Sequence, residues 1–254
     1  MSELPPCIRN IGFDSDCYGC AAAERSDDHH GLSCRPRTLA ARQHVFLQGD
    51  AQTHIYLVKA GAVRLYKVLA NGRRQVIGFK FPGDFVALSQ NAKYSFCAQA
   101  ITGTELRSFP VASFQAFAGG DLRALTRLYD ALSADLARAH DLVLTLGQRD
   151  AEGSVAAFLL DFDIRAAIRS AATDVLALPM PRADIADYLG ITHETVSRIF
   201  TSFRKRGLIA LTGLRGVRLL DREALRALAE GGDSSPAAAT MGAPNVPSAR
   251  PWLN

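Results

Sequence analysis

No stretch of about 18 or more consecutive apolar residues occurs, so nothing in the chain reads as a membrane-spanning helix. The opening MSELPPC lacks the basic flank and apolar core of a secretory signal, and the expected compartment is the cytoplasm. Cysteine is scarce, five in 254 residues, and a cytoplasmic address argues against structural disulfides. There is no P-loop and no nucleophile paired with a base; Gly61, Gly72 and Gly83 punctuate turns and form no phosphate cradle. No enzyme is expected from such a chain. An excess of one charge sign is also nearly missing, at +4 formally. That small excess is localised, however. Residues 181–228 hold nine Lys/Arg against five Asp/Glu, a balance of +4 that equals the excess of the whole chain. A localised basic segment is the footprint of nucleic-acid contact.

Within that segment, residues 181–209 read PRADIADYLGITHETVSRIFTSFRKRGLI. With Gly190 in a tight turn, Ile185, Leu189, Ile191, Val196 and Ile199 take the inward positions of two short helices. Ala186 is small enough to let the second helix cross closely. Pro181 suits the first turn of the first helix, where its missing N–H has no partner to lose. Thr192 suits the cap of the second. The pattern is a helix-turn-helix.

The outward face of the second helix brings His193, Glu194, Ser197 and Arg198 together near its start, where such helices meet base edges. Arginine grips guanine O6 and N7 together, and a carboxylate accepts from cytosine N4. Arg204, Lys205 and Arg206 at the helix end, with Thr192 at its start, suit phosphates. The run LIALTGLRGVRLL (208–220) predicts a hairpin turning between Gly213 and Gly216, with Arg215 at its tip as a further phosphate contact. Together these predict a winged helix-turn-helix that reads double-stranded DNA.

The chain before this module divides by pattern. Residues 1–37 form a polar segment with four of the five cysteines, Cys7, Cys17, Cys20 and Cys34. Residues 38–120 read as short strands (HVFL, HIYLVKAG, AVRLYKVL, RQVIGFKF, FCAQAI, ELRSF) with glycine turns, of which Asn71-Gly72 is the strongest hairpin signal. Such strands predict a β-barrel or sandwich. Residues 121–147 switch to a helix whose Leu122, Leu125, Tyr129, Leu132, Leu136, Ala139, Val143 and Leu146 alternate spacings of 3 and 4. Such a seam predicts pairing with a second copy; the alternative is a long helix lying on its own barrel. Residues 148–230 are the DNA-binding domain, opened by an amphipathic helix at 154–167. Residues 231–254, rich in Gly, Ser, Pro and Ala, read as a disordered tail. The fold class is α+β: a β-roll, a long dimerisation helix and a winged helix-turn-helix.

Three stretches, GAVRLYKVLANGRRQVIGFKFPGDFVAL, VAAFLLDF and DIADYLGITHETVSRIF, resemble the Crp/Fnr family of bacterial transcription regulators, in its Fnr and FixK branch, over residues 38–228. The resemblance implies a cyclic-nucleotide-binding-like roll. It also implies a Glu-x-x-Ser-Arg reading set at Glu194, Ser197 and Arg198, TTGAT-like half-sites in an inverted repeat, RNA polymerase contact and control of low-oxygen or related genes. Cyclic AMP is not expected, since Lys93 is the only base between Asp84 and Leu106 and no arginine stands ready for the phosphate. Fnr itself holds an iron–sulfur cluster on four thiolates. Here Cys17-x2-Cys20 matches, but Ser26 and Arg107 stand where the other two are wanted, with Cys97 ten residues earlier. The five cysteines leave open a cluster, a zinc site, a thiol switch or no role; Cys97 itself reads as a small core residue.

Overall fold

The computed structural model describes residues 34–88, 91–120, 122–169 and 174–231. Among them come first β1 (Arg35–Leu39), β2 (His44–Phe46), β3 (His54–Ala60), β4 (Val63–Val68), β5 (Arg74–Lys80), β6 (Phe85–Val86), β7 (Cys97–Ala100) and β8 (Thr104–Pro110). Helices α1 (Val111–Gly120), α2 (Leu122–Gln148) and α3 (Ala151–Arg169) follow. Then come β9 (Leu176–Ala177), α4 (Arg182–Leu189), α5 (His193–Lys205), β10 (Ile209–Thr212), β11 (Gly216–Leu219) and α6 (Arg222–Ala229).

The first eight strands form two four-stranded antiparallel sheets, ordered β1-β8-β3-β6 and β2-β7-β4-β5. The expected barrel is therefore a roll that does not close. The hairpin expected at Asn71-Gly72 joins β4 to β5, with Val63 opposite Lys80 and Val68 opposite Arg74. Gly72 takes φ 78°, which glycine adopts without a Cβ clash, and Asn71 Oδ1 accepts from the Arg73 amide at 3.0 Å.

Alternation along the strands sets three layers of packing. Tyr56, Val58, Val63, Leu65, Ala98, Ala100 and Leu106 fill the space between the sheets. Ile55 and Leu57, one residue out of phase on β3, pack with Phe85, Phe109 and Phe114 beneath Leu128 and Ala131 of α2. The opposite face of the second sheet presents Tyr66, Val76, Phe79, Phe81 and Cys97. These side chains share one buried cluster with Val155, Phe158, Leu159 and Phe162 of α3, Ile185 and Leu189 of α4, and Val196, Phe200 and Phe203 of α5. The roll and the helical part are thus packed on a common core.

Some elements lie outside the sequence expectations. β1 starts at Arg35, α1 occupies a stretch where no element was expected, and the two-residue β9 pairs with β11 to complete the sheet β10-β11-β9. Residues 1–33 and 232–254, and with them Cys7, Cys17, Cys20 and the expected tail, lie outside the described residues.

Candidate nucleic-acid interface

Gly190 ends α4 in the left-handed conformation at φ 68°, and its amide donates to the Ala186 carbonyl. A residue with a Cβ would be strained there and would meet Leu146 Cδ2 at 3.0 Å. The turn lets α5 cross α4 over Ile185, Ala186 and Leu189 on one side and Val196, Ile199, Phe200 and Phe203 on the other, all buried. Pro181 stands one residue outside the helix rather than in its first turn; its carbonyl accepts from the Asp184 amide at 3.0 Å and the Ile185 amide at 3.3 Å. Thr192 caps α5, its Oγ1 accepting from the Thr195 amide at 3.2 Å.

With its apolar side buried, α5 turns His193, Glu194 and Arg198 fully outward and leaves Ser197 half-buried beside them. Arg198 Nη2 rests 3.4 Å from Thr195 Oγ1, a weak contact that leaves most of the guanidinium's donors open. The backbone amide of Glu194 itself, then the Thr192 hydroxyl, then the charges of His193 and Arg198, hold the Glu194 carboxyl below the usual carboxylate range. It remains an acceptor at any pH near neutral.

The expected phosphate ligands fare differently. Arg204 and Lys205 are exposed at the end of α5, where positive charge also complements the helix dipole. Arg215 is exposed in the turn 213–215 of the β10–β11 wing. Arg206 is engaged within the fold, donating to Glu152 Oε2 of α3 at 2.7 Å and lying over the Phe203 ring. Thr192 is exposed but spends its hydroxyl on the cap. One contact had no signature in the sequence: the Arg182 guanidinium sits 3.3 Å from the centroid of the Phe200 ring, bracing the start of α4 on α5. Burial lowers its pKa to about 10, which leaves it charged at neutral pH.

The long helix α2 has two apolar stripes. Leu128 and Ala131 face the roll, and Lys80 of β5 donates to both Asp135 oxygens at 2.6 Å. Burial pushes the Asp135 carboxyl up, but the Lys80 and Arg138 cations outweigh it and bring it below its ordinary range. The other stripe is the expected seam. Leu122, Leu125, Tyr129, Leu132, Leu136 and Val143 are exposed, Leu122 to 78% and Tyr129 to 70%.

A cavity of about 300 Å³ lies where the roll meets α2 and α3, lined by Leu65, Ile77, Phe85 and Phe96 among others. It does not fit a cyclic phosphate. Its cations are already paired: Lys80 and Arg138 with Asp135, and Arg165 with Asp84 at 3.2 Å. A phosphate placed there would have to break one of these pairs. Nor do the described residues bring the cysteines together. Cys34 is half-buried, and Cys97 is buried in β7, its Sγ accepting from the Gln48 amide at 3.3 Å. Among the described residues no three His, Cys, Asp or Glu side chains are grouped to hold a metal.

Comparison with known proteins agrees with this architecture. A model of the Crp-like helix-turn-helix domain matches residues 153–228, and one of the cyclic nucleotide-binding domain matches residues 36–121. The nitrogen fixation regulation protein FixK of Bradyrhizobium diazoefficiens is 40% identical over 214 residues, 84% of this chain and 89% of the relative. The transcriptional activatory protein AadR of Rhodopseudomonas palustris is 40% identical over 188 residues, 74% of this chain and 78% of its own. The structure of FixK2 from Bradyrhizobium japonicum superposes with a TM-score of 0.72 at 33% identity, covering 80% of this chain and 100% of that one. These relatives are transcription regulators and not enzymes. With both halves of the fold matched in this order, the chain belongs to the Crp/Fnr family of transcription regulators, in its FixK-like branch.

Proposed function

We propose that the protein binds DNA as a homodimer at an inverted repeat of TTGAT-like half-sites and regulates genes of low-oxygen or related metabolism through contact with RNA polymerase. The observation that carries this reading is the division of α5 into two faces. Its apolar side chains are all spent on α4 and the core, while His193, Glu194 and Arg198 stand open beside Ser197 at its N-terminal end. In this reading those four side chains meet base edges, and Arg204, Lys205, Arg215 and the α5 N-terminus at Thr192 meet phosphates. Arg206 belongs to this set only if it leaves Glu152. The exposed stripe of α2 supplies the dimer contact, since an isolated apolar helix face of this length calls for a partner. The names of the relatives, FixK and the transcriptional activator FnrA of Stutzerimonas stutzeri, favour gene activation and the metabolic setting.

Fluorescence anisotropy with a labelled TTGAT–ATCAA palindrome tests the reading. Binding should be tighter than to a shuffled duplex by on the order of a thousandfold at physiological salt, with two chains per duplex. Equal affinity for the two duplexes would overturn it.

A further inference from the structure

α4 carries two carboxylates that DNA reading does not need. Asp184 is wholly buried and Asp187 half-buried, and both accept from the roll. Arg64 of β4 gives its Nη1 to both oxygens of Asp184 at 2.6 Å. Arg74 of β5 gives its Nη2 to Asp184 Oδ1 at 2.7 Å and its Nε to Asp187 Oδ2 at 2.8 Å. Gln75 donates to the Asp187 carbonyl at 2.6 Å, and Gln99 of β7 accepts from Arg64 Nε at 3.0 Å. Arg74 also lies over the Tyr66 ring, 5.7 Å from its centroid.

Stability alone does not account for this arrangement. Burying charges is costly, and a well-packed apolar contact in the same place is often as stable or more so. The apolar contact is already present next door, where Phe79 of β5 packs against Phe158, Phe162 and Tyr188. Such packing is non-directional. A planar guanidinium fork across two carboxylates adds what packing lacks, a single angle and register. β5 is anchored at its far end as well, where Lys80 grips Asp135 of α2. One seven-residue strand therefore ties the dimer helix at one end to the first helix of the reading unit at the other.

We infer that Arg64 and Arg74 are positioning residues for DNA recognition: through Asp184 and Asp187 they hold α4, and α5 with it, at one angle to the roll and α2. In a dimer this fixes the spacing between the two recognition helices. The inference rests on the palindromic reading above. A single half-site needs no such spacing; an inverted repeat does.

The test compares wild type with Arg74→Gln, Arg74→Lys and Asp187→Asn, each first shown folded by its thermal transition. Asp187 and Arg74 are both partly exposed, so these changes spare the core. Anisotropy is read on a single TTGAT half-site and on inverted repeats whose spacer is correct, or longer or shorter by one and two base pairs. Arg74→Gln should bind the correctly spaced repeat on the order of tenfold more weakly, lose little on the half-site, and distinguish the spacers less sharply. Asp187→Asn should show the same pattern more mildly, and Arg74→Lys should recover part of the loss. Unchanged spacer discrimination, an equal loss on half-site and repeat, or tighter binding by Arg74→Gln would each overturn the positioning role. Wild-type protein with no preference for any spaced repeat would instead overturn the palindromic reading, and this inference with it.

Discussion

Arg198 projects from the second turn of α5 with one weak contact, to Thr195 Oγ1 at 3.4 Å. A guanidinium so placed has its fork free for O6 and N7 of one guanine. Arg198→Ala should therefore cost ~1–3 kcal/mol on the cognate repeat and little on shuffled DNA. Anisotropy on the two duplexes checks it; an equal loss on both would make Arg198 a phosphate contact. The outward face of α5 was legible because its geometry is local: four residues within six positions, on a helix whose cap and turn are written in Thr192 and Gly190. The contact Arg206 makes within the fold was not legible, for the opposite reason. Its partner Glu152 lies 54 residues away, and no periodicity within residues 181–209 points to it. Nothing near Asp184 and Asp187 in the chain marks their burial, because the arginines that bury them are more than a hundred residues earlier.

The same divide between local and distant information runs through the elements. α2 was legible as a long helix from its 3,4 spacing, and the structure assigns each stripe a different neighbour. The stripe through Leu128 and Ala131 is taken by the roll, so a helix lying on its own roll is a true description of that side. It leaves the stripe through Leu125, Tyr129, Leu132 and Leu136 exposed. Replacing Leu132 and Leu136 together with glutamate should therefore leave the chain folded but monomeric, because neither side chain belongs to the buried core. Light scattering at micromolar concentration checks the mass, and a variant that stays dimeric would move the partner contact elsewhere. Two of the elements that escaped the sequence did so for identifiable reasons. β1 is an edge strand, ordered β1-β8-β3-β6, and its Arg-Pro-Arg start has the proline that edges tolerate and strand patterns penalise. α1, VASFQAFAGG, ends in two glycines and carries few polar residues, so no helical face stands out.

At the scale of the molecule, chain length allows one large domain or two ordinary ones, and the motifs mark a roll and a DNA-binding domain joined by a helix. The packing joins them more closely. Phe162 of α3 is 1% exposed and touches Phe158 of its own helix at 4.3 Å between ring centroids. It also meets Phe79 and Phe81 of the roll edge-on at 5.8 and 5.6 Å. Above Phe81, the Arg165 guanidinium reaches across to the Phe79 carbonyl at 3.0 Å and to Asp84. A buried ring with neighbours in both parts transmits the loss of either part to the other, so the described residues should unfold as one cooperative unit. Phe162→Ala removes that ring from both at once and should cost ~3–5 kcal/mol, lowering Tm by on the order of 10 °C. Differential scanning calorimetry decides the matter. One transition that shifts as a whole is the expected outcome, and near-UV signals from the tyrosines of the roll, Tyr56, Tyr66 and Tyr94, should be lost at the same temperature as helical far-UV signal. Two transitions, with only the helical one moved by Phe162→Ala, would show that the roll keeps its own stability and that the shared aromatic layer is a contact between independent units. In that case the angle between roll and reading helix would rest on the Arg64 and Arg74 ion pairs far more than on the rings beside them.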